Sequence, residues 1–145
     1  MARDYRMNSI RRLVNTALRP LLRRGLGPRQ TYLLSVPGRT SGRLYTTPVT
    51  LVEQAGLRWL VAPYGEVGWV RNARAAGEVT LHRGQHHEDV VVFPLDAAEA
   101  APVLKQYVLE VPITRPYFDA QPSAPLTAFQ AEANRHPVFR IVPKG

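Results

Sequence analysis

Between Gln30 and Leu95 the chain is cut into short runs rich in β-branched and aromatic residues, each closed by a turn signal, and this spacing limits the fold more than any other feature. Gln30 to Val36 reads as a strand and Pro37 to Arg43 as the turn that follows it. Leu44 to Gln54 and Leu57 to Tyr64 read as strands joined through Ala55-Gly56, a tight hairpin connection. Glu66 to Ala76 reads as a short helix, with Gly77 where a left-handed C-terminal cap is wanted. Glu78 to Arg83 and His86 to Leu95 form a second hairpin through Gly84-Gln85. Pro48 has no N–H for a ladder and is expected at an edge or a bulge. Asp96 is placed to cap a helix over Ala97 to Val111, with Glu99 three residues on. Pro102 has no natural place in that helix. An irregular, aromatic-bearing loop is expected over 112–125, a helix over Ala124 to Asn134, and a closing strand over Val138 to Val142. Successive hairpins without strand-helix-strand alternation predict an α+β, mainly β fold: one antiparallel barrel with flanking helices, not a doubly wound parallel sheet.

The first 27 residues differ in kind. Ile10, Leu13, Val14, Ala17, Leu18, Leu21 and Leu22 repeat at helical spacing, with Arg11, Arg12, Arg19, Arg23 and Arg24 mostly on other faces, which predicts a basic amphipathic helix. A kink is expected at Pro20 and an end at Gly25-Leu26-Gly27-Pro28. The apolar face suits either the core of the barrel or the surface of a membrane. Residues 1–45 hold ten arginines against one aspartate, while the rest of the chain holds nine basic and ten acidic residues, so the net charge of +8 belongs to the N-terminal third. Such a field gathers anions: a phosphorylated cofactor, an anionic membrane or a nucleic acid. Nucleic acid is the weakest of these, because aromatics are not interleaved with the arginines apart from Tyr5.

Several chemistries are excluded. The chain has no cysteine, which removes disulfides, thiolate metal sites, iron–sulfur clusters and cysteine nucleophiles. Its four histidines are His82, His86, His87 and His136; His82 and His86 are expected to face each other across the Gly84-Gln85 turn, and no metal site is expected. Ser35, Ser41 and Ser123 have no histidine near them in sequence, and the nucleophile elbow, the phosphate-binding lysine loop and the dinucleotide glycine fingerprint are absent. No apolar run approaches the ~20 residues of a membrane-spanning helix, so a soluble, cytoplasmic protein is expected, with peripheral attachment at the inner membrane face as an alternative.

What remains is Gly38-Arg39-Thr40-Ser41-Gly42-Arg43. Two glycines bracket small hydroxyl residues beside guanidinium groups, a turn suited to presenting N–H groups and positive charge to a phosphate. Taken alone it is also an ordinary polar hairpin turn. Thr46-Thr47-Pro48, then Val61-Ala62-Pro63-Tyr64-Gly65, then Trp69-Val70-Arg71-Asn72-Ala73-Arg74 follow it in order. This ordered set resembles the deazaflavin-dependent nitroreductase family from about Tyr32 to Arg83, with an echo in His136-Pro137-Val138-Phe139-Arg140.

The resemblance implies a split β-barrel of the flavin-reductase, FMN-binding-like type over residues 1–145, usually dimeric, binding coenzyme F-420. It implies an oxidoreductase that passes a hydride from the reduced cofactor to a small-molecule electron acceptor: a quinone, a nitroaromatic or another electron-poor conjugated compound. Carried over by position, Gly38, Arg39, Thr40, Ser41, Gly42 and Arg43 hold the phosphate, and Thr47 and Pro48 line the ring. Ala62, Pro63, Tyr64 and Gly65 offer backbone N–H groups to the ring carbonyls, Trp69 and Asn72 close the pocket, and Arg71 and Arg74 meet the anionic tail. Tyr107, Tyr117 and Phe118 are candidates for a substrate wall. Thr40, Tyr45 and Val70 depart from the residues common in the family, and the segment from Pro63 to Gly68 is short. FMN or FAD remains a rival cofactor, and a non-catalytic cofactor or lipid carrier of the same fold a rival function.

Overall fold

A computed structural model describes residues 18–26 and 29–145. Six strands close into one antiparallel barrel: β1 (Thr31–Pro37), β2 (Leu44–Gln54), β3 (Leu57–Val61), β4 (Glu78–Arg83), β5 (His86–Pro94) and β6 (Val138–Pro143), in the order β1-β2-β3-β6-β5-β4. The hairpin turns predicted at Ala55-Gly56 and Gly84-Gln85 are both present. Alternation along each strand sends Leu34, Val36, Val49, Leu51, Leu60, Leu81, Val90, Val92 and Ile141 into one buried cluster inside the barrel. Pro48 pairs with Leu33 in a stretch of β2 that, among the described residues, has β1 on one side and no strand on the other, so its missing N–H interrupts no ladder there.

Helix α2 (Gly68–Ala76) packs on β1, β4 and β5 and sends Val70 and Ala73 into the barrel cluster. Gly77 ends it at φ 74°, its N–H donating to the Ala73 carbonyl as a left-handed cap. On the outside of the barrel, α3 (Ala97–Glu110) and α4 (Leu126–Glu132) bury Leu104, Tyr107, Val108 and Phe129 with Val52, Val61 and Val138 in a second cluster. The Asp96 side chain accepts from the Glu99 N–H at 2.8 Å, as the capping pattern predicts. Pro102 is inside α3 on its solvent face, where the lost helix bond exposes a carbonyl to water instead of burying it.

The differences from expectation are local. The strand expected to reach Tyr64 ends at Val61, because Pro63 has no N–H to extend the ladder. The helix expected from Glu66 starts at Gly68, since Val67 is still extended. The expected loop over 112–125 opens with a 3-10 turn, Pro112–Tyr117, in which the prolines' fixed φ suits the tighter winding. Helix 124–134 splits into α4 and a 3-10 turn, Ala133–Arg135.

Residues 10–17 of the expected amphipathic helix, with Gly27 and Pro28, lie outside the described residues. Its described end, α1 (residues 18–23), packs on the barrel. Leu22 is fully buried and its carbonyl accepts from the Gly84 N–H at 2.8 Å, while Arg19 Nη2 donates to the Thr46 carbonyl at 2.7 Å. Among the described residues no helix is long and apolar enough to cross a membrane.

Candidate functional site

The β1–β2 turn forms the corner that the sequence singles out. The Gly38 N–H donates to the Arg43 carbonyl at 2.7 Å, the Gly42 N–H to the Gly38 carbonyl at 2.9 Å, and the Arg43 N–H to Ser41 Oγ at 3.1 Å. A Cβ at Gly38 would stand 2.8 Å from both Ser41 Oγ and a Tyr45 ring carbon, so a side chain there must push those two aside. Gly42 takes φ +71°, a conformation that strains any L-residue with a side chain.

Arg39 ties this corner to α2. Its backbone N–H and its Nη1 both donate to Asn72 Oδ1, at 3.1 and 2.8 Å, and Asn72 is only 6% exposed. The guanidinium is thus held at the corner with its remaining donors outward. Four of the six corner N–H groups, those of Gly38, Arg39, Gly42 and Arg43, are engaged inside the fold. Among the described residues, those of Thr40 and Ser41 are the two left to meet a ligand. The multi-amide cradle expected for a phosphate is narrower than predicted, and Asn72 anchors Arg39 beside it. Two adjacent amides, two hydroxyls and the Arg39 and Arg43 guanidiniums nevertheless match a phosphate well.

The Ala62–Gly65 segment is built differently from expectation. The Ala62 N–H donates to the Pro137 carbonyl at 2.8 Å and Pro63 has none, so neither can serve a ring carbonyl; the Gly65 N–H reaches the Ala62 carbonyl only at 3.4 Å. The segment is pinned from behind by His136, which is buried. Its Nδ1 lies 2.8 Å from the Pro63 carbonyl oxygen, its Nε2 lies 2.8 Å from Glu132 Oε1, and its ring stacks on Phe118 at 3.8 Å. Glu132, also buried, accepts from the Asp119 and Ala120 N–H groups at 3.0 and 2.7 Å. Burial pushes the His136 pKa below its ordinary value, with the Glu132 and Pro63 oxygens pulling partly the other way.

Trp69 is half-buried against the barrel cluster beside Val67. Arg74 makes a bidentate pair with Glu66 at 2.7 and 3.0 Å, which ties the loop before α2 to its last turn and occupies a guanidinium expected to meet the cofactor tail. Arg71 is exposed on the same helix. Thr47 and Pro48 are partly exposed in the stretch of β2 opposite Leu34 and Leu33, near the corner, and as neighbours on a strand they point to opposite faces of it. Tyr107, Tyr117 and Phe118, the candidate substrate wall, are all buried in the second cluster; Tyr117 meets Tyr64 edge-on at 4.8 Å. They are core residues.

Two cavities lie elsewhere. One of about 440 Å³ is lined by Arg29, Gln30, Tyr32, Glu53 and Arg83, and one of about 310 Å³ runs between the barrel and α3 past Trp59 and Val103. Neither contains a residue of the corner or of α2; at the corner Arg39, Thr40, Ser41, Gly42 and Arg43 are all exposed. His82 stacks on His87 at 3.9 Å instead of facing His86, because a two-residue turn at 84–85 sets Arg83 against His86 and His82 against His87. Among the described residues no group of three or more His, Asp or Glu side chains is placed to hold a metal ion.

The closed six-stranded antiparallel barrel with flanking helices is similar in fold to the flavin-binding split barrels. The chain belongs to the F420H(2)-dependent quinone reductase family, whose model matches residues 17–127. It is therefore an F-420-dependent reductase, with the deazaflavin as the cofactor its family uses. A solved structure described as an F420-H2 dependent reductase (FDR-A) is 24% identical, with TM-score 0.54, covering 79% of this chain and 95% of its own. Another, described as a domain-swapped dimer, is 20% identical with TM-score 0.57, covering 92% of this chain and 100% of its own. A FAD-binding protein from Mesorhizobium loti is 13% identical with TM-score 0.51, covering 96% and 91%. These three show the common fold. No curated protein matches the chain.

Proposed function

We propose that the chain reduces a quinone or a similarly electron-poor conjugated acceptor, holding the cofactor phosphate at the Gly38–Arg43 corner and its ring beside Thr47, Pro48, Tyr64, Gly65 and Trp69. The observation that carries this reading is the double donation from Arg39 to Asn72, which fixes a guanidinium beside the free Thr40 and Ser41 amides. A positioned charge loses little entropy when an anion arrives. When bound, reduced F-420 supplies the hydride, so the chain's own residues need only bind, orient and exclude water. Arg43 and Arg71 are exposed cations for the anionic tail, whereas Arg74 contributes only by holding Glu66.

A homodimer is part of this proposal. Leu44 and Tyr45, both exposed, lie at the start of β2, where among the described residues the strand pairs with β1 alone and Arg19 of α1 takes the Thr46 carbonyl, directly beside the corner. A second copy covering that edge would also enclose the open cofactor face. Peripheral attachment to an anionic membrane is supported by Leu21 and Leu26, which are exposed next to Arg23 and Arg24. The test is oxidation of reduced F-420, followed by its absorbance, against a panel of quinones and nitroaromatics. Turnover with quinones supports the proposal; saturable F-420 binding with no oxidation by any acceptor would replace it with a carrier role.

A further inference from the structure

The two ends of the barrel are finished in opposite ways. At the α2 end the interior is closed by Val36, Ala62, Val70 and Ala73. Going the other way along the same inward-facing phase, one step beyond Leu34, Leu51, Leu60, Leu81 and Val90, five strands present Tyr32, Glu53, Arg58, Arg83 and Glu88. Stability alone would fill these inward positions with apolar side chains, since partly desolvated charges return little net free energy even when paired. Arg58 and Glu88 satisfy each other in a bidentate pair at 2.9 and 2.8 Å. The others line the 440 Å³ cavity together with Arg29 and Gln30.

We propose that this mouth is a second ligand site, taking a small molecule that carries a phosphate or carboxylate group. Within the lining, Arg29 and Arg83 outnumber the one carboxylate, Glu53. Arg83 is steadied by donating from Nη1 to the Thr31 carbonyl at 2.7 Å, at the rim of the cavity. Burial, with Glu53 next, holds the Tyr32 phenol above its ordinary pKa, so at neutral pH it keeps the proton with which it would bind an oxyanion. Gln30 adopts φ 65°, a conformation uncommon outside glycine; the Leu51 N–H holds its carbonyl at 2.9 Å, and the turn brings Arg29 to the rim. The mouths of β-barrels are frequent binding places, and a cavity of this volume is of ligand size. This inference is independent of the cofactor reading, because no lining residue belongs to the Gly38–Arg43 corner.

Calorimetric titration of the full chain with inorganic phosphate and, separately, citrate tests it, in an Arg39→Ala background that weakens the corner, so that the Arg29 and Glu53 variants report the mouth. Saturable binding is expected for at least one oxyanion. Arg29→Gln and Arg83→Gln should each weaken it by about tenfold, as loss of a charge-assisted hydrogen bond does. Glu53→Gln should tighten it, by removing the like charge. The relative affinity for the two probes assigns phosphate or carboxylate. Should Arg83→Gln lower the melting temperature, Arg29→Gln and Glu53→Gln decide, as neither side chain makes a structural hydrogen bond among the described residues. Absence of saturable binding, or affinity indifferent to both Arg29→Gln and Glu53→Gln, overturns the proposal.

Discussion

Asn72, on the first turns of α2, accepts two hydrogen bonds on one oxygen from Arg39, 33 residues earlier in the chain: one from its backbone and one from its guanidinium. This contact joins the corner to the helix that closes the barrel. Asn72→Ala leaves the Arg39 amide and guanidinium to find water or go unpaired, at a cost of about 1–3 kcal/mol. Asn72→Asp separates anchoring from charge. It should retain stability by pairing with Arg39 while weakening F-420 binding, because the carboxylate neutralises the guanidinium meant for the phosphate. Urea unfolding and fluorescence titration on the two variants check this, and a fall in affinity that merely tracks stability in both would contradict it.

The two corner glycines are required for different reasons. Gly42→Ala meets open space but an unfavourable φ of +71°, so it should cost about 1 kcal/mol of stability. Gly38→Ala meets the Tyr45 ring and Ser41 Oγ at 2.8 Å, both movable side-chain ends. Its main effect should be to displace Ser41 from the ligand, with a larger loss of F-420 affinity than Gly42→Ala and a smaller loss of melting temperature per unit of affinity. Paired thermal melts and titrations read both.

Stability should fall with pH in two stages. Burial holds His136 below its ordinary pKa of 6.5, so the unfolded chain takes up that proton before the folded one does, and stability declines as pH drops below about 6.5. Glu88, paired with Arg58, and Glu66, paired with Arg74, are held below the ordinary 4.5, so their contribution is present above that value and is lost as pH falls further. His136→Gln should remove the first decline and leave the second. Denaturant midpoints measured from pH 7 to pH 4 give the comparison.

Much of the barrel was legible because its signals are local. The Gly84-Gln85 turn, the Asp96 cap and the Gly77 stop each depend on residues within a few positions, and all three are present. The family motifs likewise led to the right scaffold and cofactor. The site was less legible because its contacts are distant in sequence. Nothing near Asn72 signals that it would anchor Arg39, and nothing near Ala62 signals that its N–H would be taken by Pro137. The His82–His87 stack was open to simple counting across a two-residue turn, which makes His82 opposite His86 impossible. The polar barrel mouth was equally open to counting: Tyr32, Glu53, Arg58, Arg83 and Glu88 fall on the core-facing phase of their strands. Tyr107, Tyr117 and Phe118 show the opposite case, aromatics whose burial only packing of α3 and α4 decides.

The most direct test of the central claim, that the arginine corner grips the charged end of the deazaflavin, is a fluorescence titration with F-420 of the wild type and Arg39→Ala at low and high salt. Tight binding by the wild type is predicted, with a loss in Arg39→Ala that is largest at low ionic strength, where screening of the missing charge is least. Equal affinity of the two proteins at every salt concentration would contradict it.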